Sequence, residues 1–342
     1  GIAMTQRERQ ILNWIAENPM ISQQELADKA GITRSSAAVH ISNLMKKGYI
    51  TGKGYILRTA SYVSVVGGVN VDIGGRPFRE LVPRDSNPGE VRMSLGGVGR
   101  NIAHNMSLLG LDVRLVTAFG DDSNAQKIAG SCAELGIDIS QSPVIPGGRT
   151  STYLFINGPE GDMALAVSDM DIYRHLTPQV LSGRMKLLSG SEAVVIDTNI
   201  PEESIRFLAE NCAAPIFADP VSTAKAGKLL SGVAITDRAS LEKAAGALLD
   251  TGLQRVFISL GAEGVYAADH ETHILLPSPA AAMVNTTGCG DAFMAALVWS
   301  HLRQADLESA ARAGLAASAI AMESPETINP SLSAETLEAR AG

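Results

Sequence analysis

Apolar residues recur at helical spacing in the first part of the chain. Ile11 and Ile15 lie one turn apart, and Pro19 ends this helix because proline disfavours helical backbone at the residue before it. Ser22 and Thr33 can each accept a hydrogen bond from the first turn of a following helix, so they predict the starts of a second and a third helix. The pattern therefore predicts three short helices before residue 48.

Two short apolar segments follow, residues 49–50 and 55–57, and residues 51–54 (TGKG) between them favour a hairpin turn. This order of elements over residues 1–58 resembles a winged helix-turn-helix domain, whose third helix enters the major groove of DNA. The DNA-binding residues that the resemblance implies are Arg34, Ser35, Ser36, His40 and Lys53. The alternative is a helical unit that serves only in dimerisation.

After residue 58 the pattern changes to β-branched runs separated by helical stretches. The runs that predict buried parallel strands are residues 62–66, 113–117, 193–196, 216–218 and 256–259. Such alternation is typical of a layered α/β fold, in which ligands bind beyond the carboxyl ends of the strands. Two stretches, from about 72–95 and 151–168, show strand and turn signals without a helix. We expect them to form a small β-sheet lid over the site.

Composition and charge divide the chain into two parts with different ligands. Its 342 residues, of which 45% are hydrophobic and 19% charged, are enough for two folded domains. Residues 1–60 carry eight Lys and Arg against four Asp and Glu, whereas the remainder carries 20 against 32. A mildly basic module suits a phosphate backbone, whereas an acidic body repels DNA and attracts anionic substrates only locally.

The sequence predicts a cytoplasmic protein with no membrane partner. No apolar run approaches the roughly 20 residues needed to span a bilayer, and the first residues lack the pattern of a signal peptide. Cys132, Cys212 and Cys289 lie far apart, which predicts neither a disulfide framework nor a CxxC metal site. No metal ligand set is predicted from the histidines either.

A glycine-rich string at residues 285–291 (NTTGCGD) precedes a helix of small residues. Glycines allow several backbone N–H groups to converge at a helix N-terminus, and this forms an anion site suited to a phosphoryl group in transfer. Asp291 stands at that site, where it can accept a proton from an attacking hydroxyl group. The alternative is that Asp291 is an ordinary helix-capping residue.

A second glycine-rich string, residues 96–103 (GGVGRNIA), also opens a helix, with Gly110 and Gly120 downstream. A dinucleotide site would require it directly after the first strand, which instead ends at residues 67–68. Taken together, the two strings resemble the two signatures of the ribokinase-like, or PfkB, sugar and nucleoside kinases. The resemblance covers residues 62 to about 335 and implies a ribokinase-like layered α/β domain.

That resemblance implies an ATP-dependent kinase whose catalytic base is Asp291. The amides of Gly288, Cys289 and Gly290 would form the anion hole for the migrating phosphoryl group. The substrate-binding residues that it implies are Asp72, Asn87, Gly97, Gly99, Asn101, Asn199 and Lys225. The loop after a late strand, residues 259–264 (SLGAEG), would contact ATP through Ser259, Gly261 and Gly264. Mg²⁺ would be held largely by nucleotide phosphates and water.

Three departures from the family pattern bear on the site. Cys289 replaces a smaller residue, and Asn285 replaces the commoner aspartate, which puts a family-like monovalent cation site in doubt. After Asp219 the family has a further strand and a Pro-Asn-x-x-Glu motif, and both are missing here. We expect that a loop of the protein is left out of the numbered sequence near Gly227 to Leu229. A natural deletion, with an impaired kinase, is the alternative.

The sequence motifs around the predicted pocket narrow the choice of substrate within the family. Residues 85–89, 96–103, 168–172 and 221–225 resemble the pseudouridine kinase branch, which implies phosphorylation of the ribose 5'-hydroxyl of pseudouridine. Asn87, Asn199 and Lys225 could supply the donors and acceptors that a uracil base requires. A kinase for another nucleoside or sugar, and a nucleoside-sensing transcription regulator with a kinase-like domain, are the alternatives. We expect a homodimer.

Overall fold

A computed structural model describes residues 4–52, 61–220 and 235–342 of the chain, which form a helical module followed by a larger α/β body. The helices in these ranges are α1 Gln6–Glu17, α2 Gln23–Ala30, α3 Arg34–Lys46, α4 Val98–Leu108, α5 Ser123–Leu135, α6 Pro178–Ser182, α7 Met185–Ser189, α8 Glu202–Asn211, α9 Arg238–Asp250, α10 Cys289–Leu302, α11 Leu307–Met322 and α12 Ala334–Ala341. The strands are β1 Val63–Val66, β2 Asn70–Pro77, β3 Gly89–Gly96, β4 Val113–Val116, β5 Phe119–Gly120, β6 Val144–Ile145, β7 Thr152–Asn157, β8 Met163–Asp169, β9 Ala193–Asp197, β10 Ile216–Asp219, β11 Arg255–Ser259, β12 Val265–Asp269 and β13 His273–Leu276.

The three helices of the N-terminal module begin where the capping residues predict. The side chains of Thr5, Ser22 and Thr33 each accept a hydrogen bond from a backbone N–H in the first turn. The core of the module consists of aliphatic side chains at helical spacing: Ile11, Ile15, Ile21, Leu26, Ile41, Leu44 and Ile50. A buried ion pair of 2.7 Å between Lys47 and Glu8 ties α3 to α1. The predicted second strand of the hairpin, residues 55–57, lies outside the described residues.

A parallel four-stranded sheet, in the order β10-β9-β1-β4, is the centre of the body. β1 pairs with β4 on one side and with β9 on the other, and all three strands are buried on both faces. The apolar runs predicted these four strands correctly, because a parallel sheet covered by helices is largely buried; the edge strand β10 is only partly buried. The carboxyl ends of β1, β9 and β10 therefore share one edge of the sheet.

A second sheet forms the lid, in the order β3-β2-β7-β8. Its four strands coincide with the two stretches that were predicted to form it, to within two residues at the ends, and β2 pairs antiparallel with β3 and parallel with β7. Because β2 starts only a few residues after β1 ends, the lid is attached at the ligand-binding edge of the central sheet.

One predicted parallel strand has an antiparallel partner among the described residues. Residues 256–259 were expected to be a parallel strand, and in the described ranges β11 pairs antiparallel with β12, and β12 with β13. The connection between β11 and β12 is a tight turn in which Gly264 has φ +111°. So short a connection joins only antiparallel strands, since a parallel pair requires a crossover of a dozen or more residues.

None of the helices in the described ranges is both long and apolar enough to cross a bilayer.

Candidate active site

Asp291 lies in the first turn of α10, a helix that begins through a glycine. Gly288 is the N-cap and has φ +85°, a backbone angle that residues other than glycine rarely adopt. A Cβ added to Gly288 would lie 2.5 Å from the carbonyl oxygen of Thr327, so the close approach of that loop also requires glycine. The glycine-rich string thus places a helix N-terminus beside a carboxylate, and of its amides that of Cys289 makes a long 3.4 Å hydrogen bond to the carbonyl of Thr286.

The Asp291 carboxyl group is buried and has one side-chain donor. Asp291 is only 9% exposed, and Asn101 Nδ2 donates a 3.0 Å hydrogen bond to its Oδ2. The pKa of Asp291 is raised to about 7, with burial as the largest cause. The hydrogen bond from Asn101 lowers this pKa, and the negative charges of Asp219 and Asp197 contribute to raising it. A carboxylate with a pKa near neutrality suits a general base.

The amides predicted to form the anion hole belong to this helix start. The first N–H groups of a helix have no intrahelical acceptor, and the helix dipole makes them favourable to an anion. A Cβ added to Gly290 would meet no atom within 4 Å, so the space beside that amide is open. Cys289 is half-buried, and its Sγ lies 3.9 Å from the carbonyl oxygen of Asn285. Burial raises the pKa of the Cys289 thiol, and so does Asp291, which keeps the thiol protonated.

Asn101 links the helix start to the second glycine-rich string. It is 8% exposed in the first turns of α4, and within the described part of the chain its Oδ1 has no hydrogen-bond partner. Gly97 has φ +96°, and a Cβ there would lie 2.6 Å from the carbonyl oxygen of Gly68. A Cβ at Gly99 would lie 2.9 Å from the amide nitrogen of Gly68. These glycines let α4 approach the end of β1, and a buried acceptor is left for a ligand.

Asp72 projects from β2 under the lid. A Cβ added to Gly96, on the neighbouring strand, would overlap the Asp72 carboxylate. Burial raises the pKa of Asp72, whereas the nearby Arg100 guanidinium lowers it. Arg100 is itself buried, and it donates a 2.7 Å hydrogen bond to Ser131 Oγ. Arg100 therefore packs behind the lid and balances the charge of Asp72.

Two residues at this edge were missed by the sequence reasoning. Asp197, the last residue of β9, is completely buried and accepts hydrogen bonds from the amides of Gly68, Gly99 and Asn199. Tyr173 receives the amide of Val69 at 2.7 Å on its hydroxyl oxygen. An acidic residue at the end of a predicted buried strand was the available signal, because that is where an α/β sheet binds ligands.

The remaining predicted substrate residues are placed differently. Asn199 lies at the same edge, since a Cβ added to Gly68 would come within 3.3 Å of Asn199 Nδ2. The side-chain amide of Asn87 is engaged in its own loop, where it accepts from the amide of Val82 and donates to the carbonyls of Val82 and Asp85. No contact in the described ranges joins Asn87 to Asp291 or Asn101. Lys225 lies outside the described residues.

The predicted nucleotide loop stands at the end of β11. Ser259 and Gly261 are exposed, and Gly261 has φ +62°. A Cβ added to Gly264 would overlap the carbonyl of Leu276, so the turn is held closely against the end of β13. The rings of Phe257 and Phe293 meet edge to face at 6.2 Å, which packs this sheet against α10. The helix that carries Asp291 thus also supports the loop predicted to contact ATP.

The residues present fit a nucleotide better than a resident metal ion. Gly288 starts a helix whose N-terminus suits a phosphate, and the turn at Gly261 is exposed. The described residues contain no group of three or more His, Cys, Asp or Glu placed to hold a metal ion. A divalent cation that is held by phosphate oxygens and water needs no such group. Asn285 Nδ2 donates a 3.1 Å hydrogen bond to the carbonyl of Pro325, in the segment after α11.

The predicted DNA-binding residues lie on the outer side of α3. Arg34, Ser35 and Ser36 are exposed at its start, and His40 is partly exposed one turn later. Val39 is 58% exposed on the same helix and was not predicted. Lys53 lies outside the described residues.

Comparison with known protein families assigns both parts of the chain. The model described as pfkB family carbohydrate kinase matches residues 60–228 and 223–334, and the model described as winged helix-turn-helix DNA-binding matches residues 4–51. The two parts of the first match meet at residues 223–228, where the missing segment was predicted. The expected junction near Gly227 to Leu229 itself lies outside the described residues.

Individual relatives agree with these matches. The chain is 38% identical to an uncharacterized sugar kinase of Escherichia coli, YeiI, with 97% of this chain and 98% of that protein covered. It is 32% identical to the pseudouridine kinase of Escherichia coli, with 81% and 95% covered. Among solved structures, a carbohydrate kinase from Agrobacterium tumefaciens is 28% identical, has a TM-score of 0.71, and covers 82% of this chain and 97% of its own.

Proposed function

Because this chain belongs to the pfkB family of carbohydrate kinases and is an ATP-dependent kinase of a sugar or nucleoside, we propose that its acceptor is the ribose 5'-hydroxyl of pseudouridine. The observation that carries the proposal is the buried pair of Asp291 and Asn101, one an acid with a raised pKa and the other with an unsatisfied acceptor oxygen. The 32% identity to a pseudouridine kinase supports the choice of nucleoside.

In the proposed reaction, the sugar lies between Asp72 and Asn101. Ionised Asp72 accepts hydrogen bonds from ribose hydroxyl groups, and Asn101 Oδ1 accepts one more. The Asp291 carboxylate takes the proton of the 5'-hydroxyl group. The 5'-oxygen forms a bond to the terminal phosphorus of ATP as the bond from that phosphorus to ADP breaks. The amides of residues 288–290 stabilise the negative charge that spreads over the phosphoryl oxygens. Asn199 and Lys225 would bind the base, and Asn87 would do so by exchanging its bonds to Val82 and Asp85 for bonds to the base.

Two other ligands complete the proposal. Mg²⁺ would be bound through the phosphates of ATP and would neutralise their charge during transfer. We also propose a monovalent cation near the loop of Asn285, whose backbone carbonyls could coordinate it. ATP and reduced thiols are both found in the cytoplasm, and the cysteines of the described chain are free, which fits a cytoplasmic enzyme.

A coupled ADP-release assay tests the function. The panel contains pseudouridine, uridine, inosine and ribose, and we expect pseudouridine to have the highest kcat/KM. Turnover of another member alone would favour a kinase for a different nucleoside or sugar. Absence of turnover with all four would favour the alternative of a nucleoside-sensing regulator, although such a sensor has no need of the base that Asp291 provides.

The rate should depend on pH through Asp291. A base must be deprotonated to act, and burial raises the pKa of Asp291 to about 7, so we expect kcat/KM to rise with pH through that value and then level off. The variant Asn101→Ala removes the hydrogen bond that lowers this pKa, and its rising limb should therefore lie at higher pH than in the wild type. Measurement of kcat/KM between pH 5 and 9, a range of about two units around neutrality, checks both expectations. A flat profile in this range would contradict the assignment of the base.

We further propose that residues 1–58 bind DNA while residues 62–335 perform the kinase reaction. The support is the match to a DNA-binding winged helix-turn-helix model and the exposed Arg34, Ser35 and Ser36 at the start of α3. His40 and Lys53 would extend this surface. A module that serves only in dimerisation is the alternative.

A gel-retardation assay on mixed-sequence duplex DNA at low salt tests the DNA-binding proposal. Arg34→Ala should weaken binding by about tenfold, since one base or phosphate contact contributes about 1–3 kcal/mol. Arg174→Ala removes an exposed arginine of the body and is the matched control, which should bind as the wild type does. Equal affinity of both variants and the wild type would rule out this face of α3.

The lid supports a homodimer. The registers of its strands place Met93, Leu154 and Val167 on one face, and Val91 and Leu165 continue that face at 76% and 56% exposure. Contiguous apolar surface of this kind is rare on monomers, and a second copy of the same face would cover it. Light scattering should give twice the chain mass for the wild type and one chain mass for Val91→Lys with Val167→Lys. Glu160→Lys, in the turn of the same lid, should stay dimeric, and a monomeric wild type would contradict the proposal.

A further inference from the structure

A buried carboxylate that no prediction named joins three segments of the proposed sugar site. Asp197 is 0% exposed at the carboxyl end of β9. Its Oδ2 accepts hydrogen bonds from the amides of Gly68 at 2.6 Å and Gly99 at 2.9 Å, and its Oδ1 accepts one from the amide of Asn199 at 2.9 Å. All three donors are backbone groups, so the carboxylate fixes the path of the main chain itself.

Each of these amides belongs to a segment that carries a proposed ligand of the nucleoside, either of its sugar or of its base. Gly68 lies just before β2, which carries Asp72, and Gly99 lies in the first turn of α4, which carries Asn101. The third segment carries Asn199. Hydrogen bonds from amides to a carboxylate are short and strong, and a buried carboxylate that lost them would be costly. The geometry around Asp197 therefore sets how far apart the three segments lie.

The packing leaves the carboxylate no room to shift. A Cβ added to Gly67 would overlap Asp197, and a Cβ added to Gly99 would lie 2.9 Å from the backbone of Gly67 and Gly68. The end of β1 and the start of α4 thus meet with the Asp197 carboxylate between their amides. Any replacement that lengthens or withdraws this group must move at least one of the two segments.

We propose that Asp197 is a positioning residue for the sugar: it holds Asp72, Asn101 and Asn199 at the spacing that the acceptor requires, without touching the acceptor itself. This inference rests on the proposed kinase function. It separates Asp197 from Asp291, which reacts with the hydroxyl group, and from Asp72, which binds it.

Asp197 also acts on the base through its charge. The charged and polar groups recorded around Asp291 are Asn101 from α4, Asp197 from β9 and Asp219 from β10. Of these, Asn101 lowers the pKa of Asp291 and both carboxylates raise it. Replacement of Asp197 by a neutral residue should therefore lower the pKa of Asp291. A residue with only a structural role would leave that pKa where it is.

The test compares Asp197→Asn with two other variants of the full chain. Asn has the shape of Asp but presents an NH₂ group where one of the acceptor oxygens was. Gly67→Ala displaces the same carboxylate without removing it. Asp122→Asn is the matched control, since Asp122 likewise accepts two backbone amides, from Ala125 at 2.9 Å and Thr150 at 2.8 Å, but belongs to the start of α5.

The measurements are sugar KM, ATP KM, the pH profile of kcat/KM, and hydrogen exchange of the amides of Gly68 and Gly99. Because a misplacement of about 1 Å can cost on the order of 10²-fold, we expect kcat/KM for the sugar to fall about 10- to 100-fold in Asp197→Asn and in Gly67→Ala. Sugar KM should carry much of the loss while ATP KM changes less than about twofold. The rising limb should move to lower pH in Asp197→Asn alone.

If Asp197→Asn has the same sugar KM as the wild type, and its kcat/KM rises at the same pH, the inference is overturned while the kinase function stands. Absence of turnover in the wild type would instead contradict the proposed function. The exchange measurement then still decides, because the inference requires faster exchange at Gly68 and Gly99 in Asp197→Asn, and unchanged exchange there overturns it. Asp122→Asn should match the wild type in all four measurements.

Discussion

Asp291→Asn should reduce kcat by about 10²- to 10⁴-fold, the contribution typical of a general base. Asparagine keeps the size of the side chain and can still bond to Asn101, but it cannot take the proton of an attacking hydroxyl group. The fold of the site should persist, because α10 starts from the glycine N-cap at Gly288 rather than from the carboxylate. Steady-state kinetics at saturating ATP and nucleoside measure the loss.

The loss of kcat in Asp291→Asn should not be accompanied by a comparable loss of nucleoside affinity. Nucleoside affinity, measured by calorimetry without turnover, should remain within about threefold of the wild type, because a base acts in the transition state more than in the ground state. Asp250→Asn, at the exposed end of α9, is the control and should match the wild type. A kcat of Asp291→Asn within about tenfold of the wild type would mean that another group removes the proton.

Asp72→Ala should raise the sugar KM by about 10- to 100-fold, because each hydrogen bond to a charged group contributes about 1.5–3 kcal/mol. Asp72 is placed to bind hydroxyl groups rather than the reacting phosphorus, so kcat at saturating sugar should fall much less than KM rises. Burial raises the pKa of Asp72, and the nearby Arg100 guanidinium lowers it, which favours the ionised form that binds hydroxyl groups. Initial rates over a series of sugar concentrations give both constants.

A matched control for Asp72→Ala lies in the same sheet. Asp162→Asn changes an exposed acid in the turn between β7 and β8, and it should leave sugar KM unchanged. Should Asp72→Ala alter kcat and leave KM untouched, Asp72 would have a role in the chemical step and not in binding.

Much of this fold is local, and the sequence predicted it for that reason. Thr5, Ser22 and Thr33 cap helices through bonds to their own first turns, and the buried runs of β1, β4, β9 and β10 need no knowledge of their neighbours. The run at β11 has the same apolar character, but its partner depends on the length of the connection. That is why its antiparallel pairing with β12 was not predicted.

The site was predictable where a motif carries it and not where the topology does. The glycine-rich string of residues 285–291 predicted Asp291, since the glycines and the acid are adjacent in the sequence. Asp197 lies 129 residues from Gly68, and the two meet only because β9 pairs directly with β1. No spacing in the sequence indicates that contact. The amide of Asn87 has partners in its own loop, which residue type alone did not indicate.

The central claim is that Asp291 activates a primary ribose hydroxyl group toward the terminal phosphate of ATP. The most direct measurement is the ³¹P NMR spectrum of wild-type protein with ATP, Mg²⁺ and pseudouridine, recorded without proton decoupling. We predict a new phosphomonoester resonance split into a triplet by the two C5' protons, which grows as ATP is consumed and grows at least about 100-fold more slowly with Asp291→Asn. A doublet would place the phosphate on a secondary hydroxyl, and free inorganic phosphate alone would mean that no acceptor is activated; either result would contradict the account.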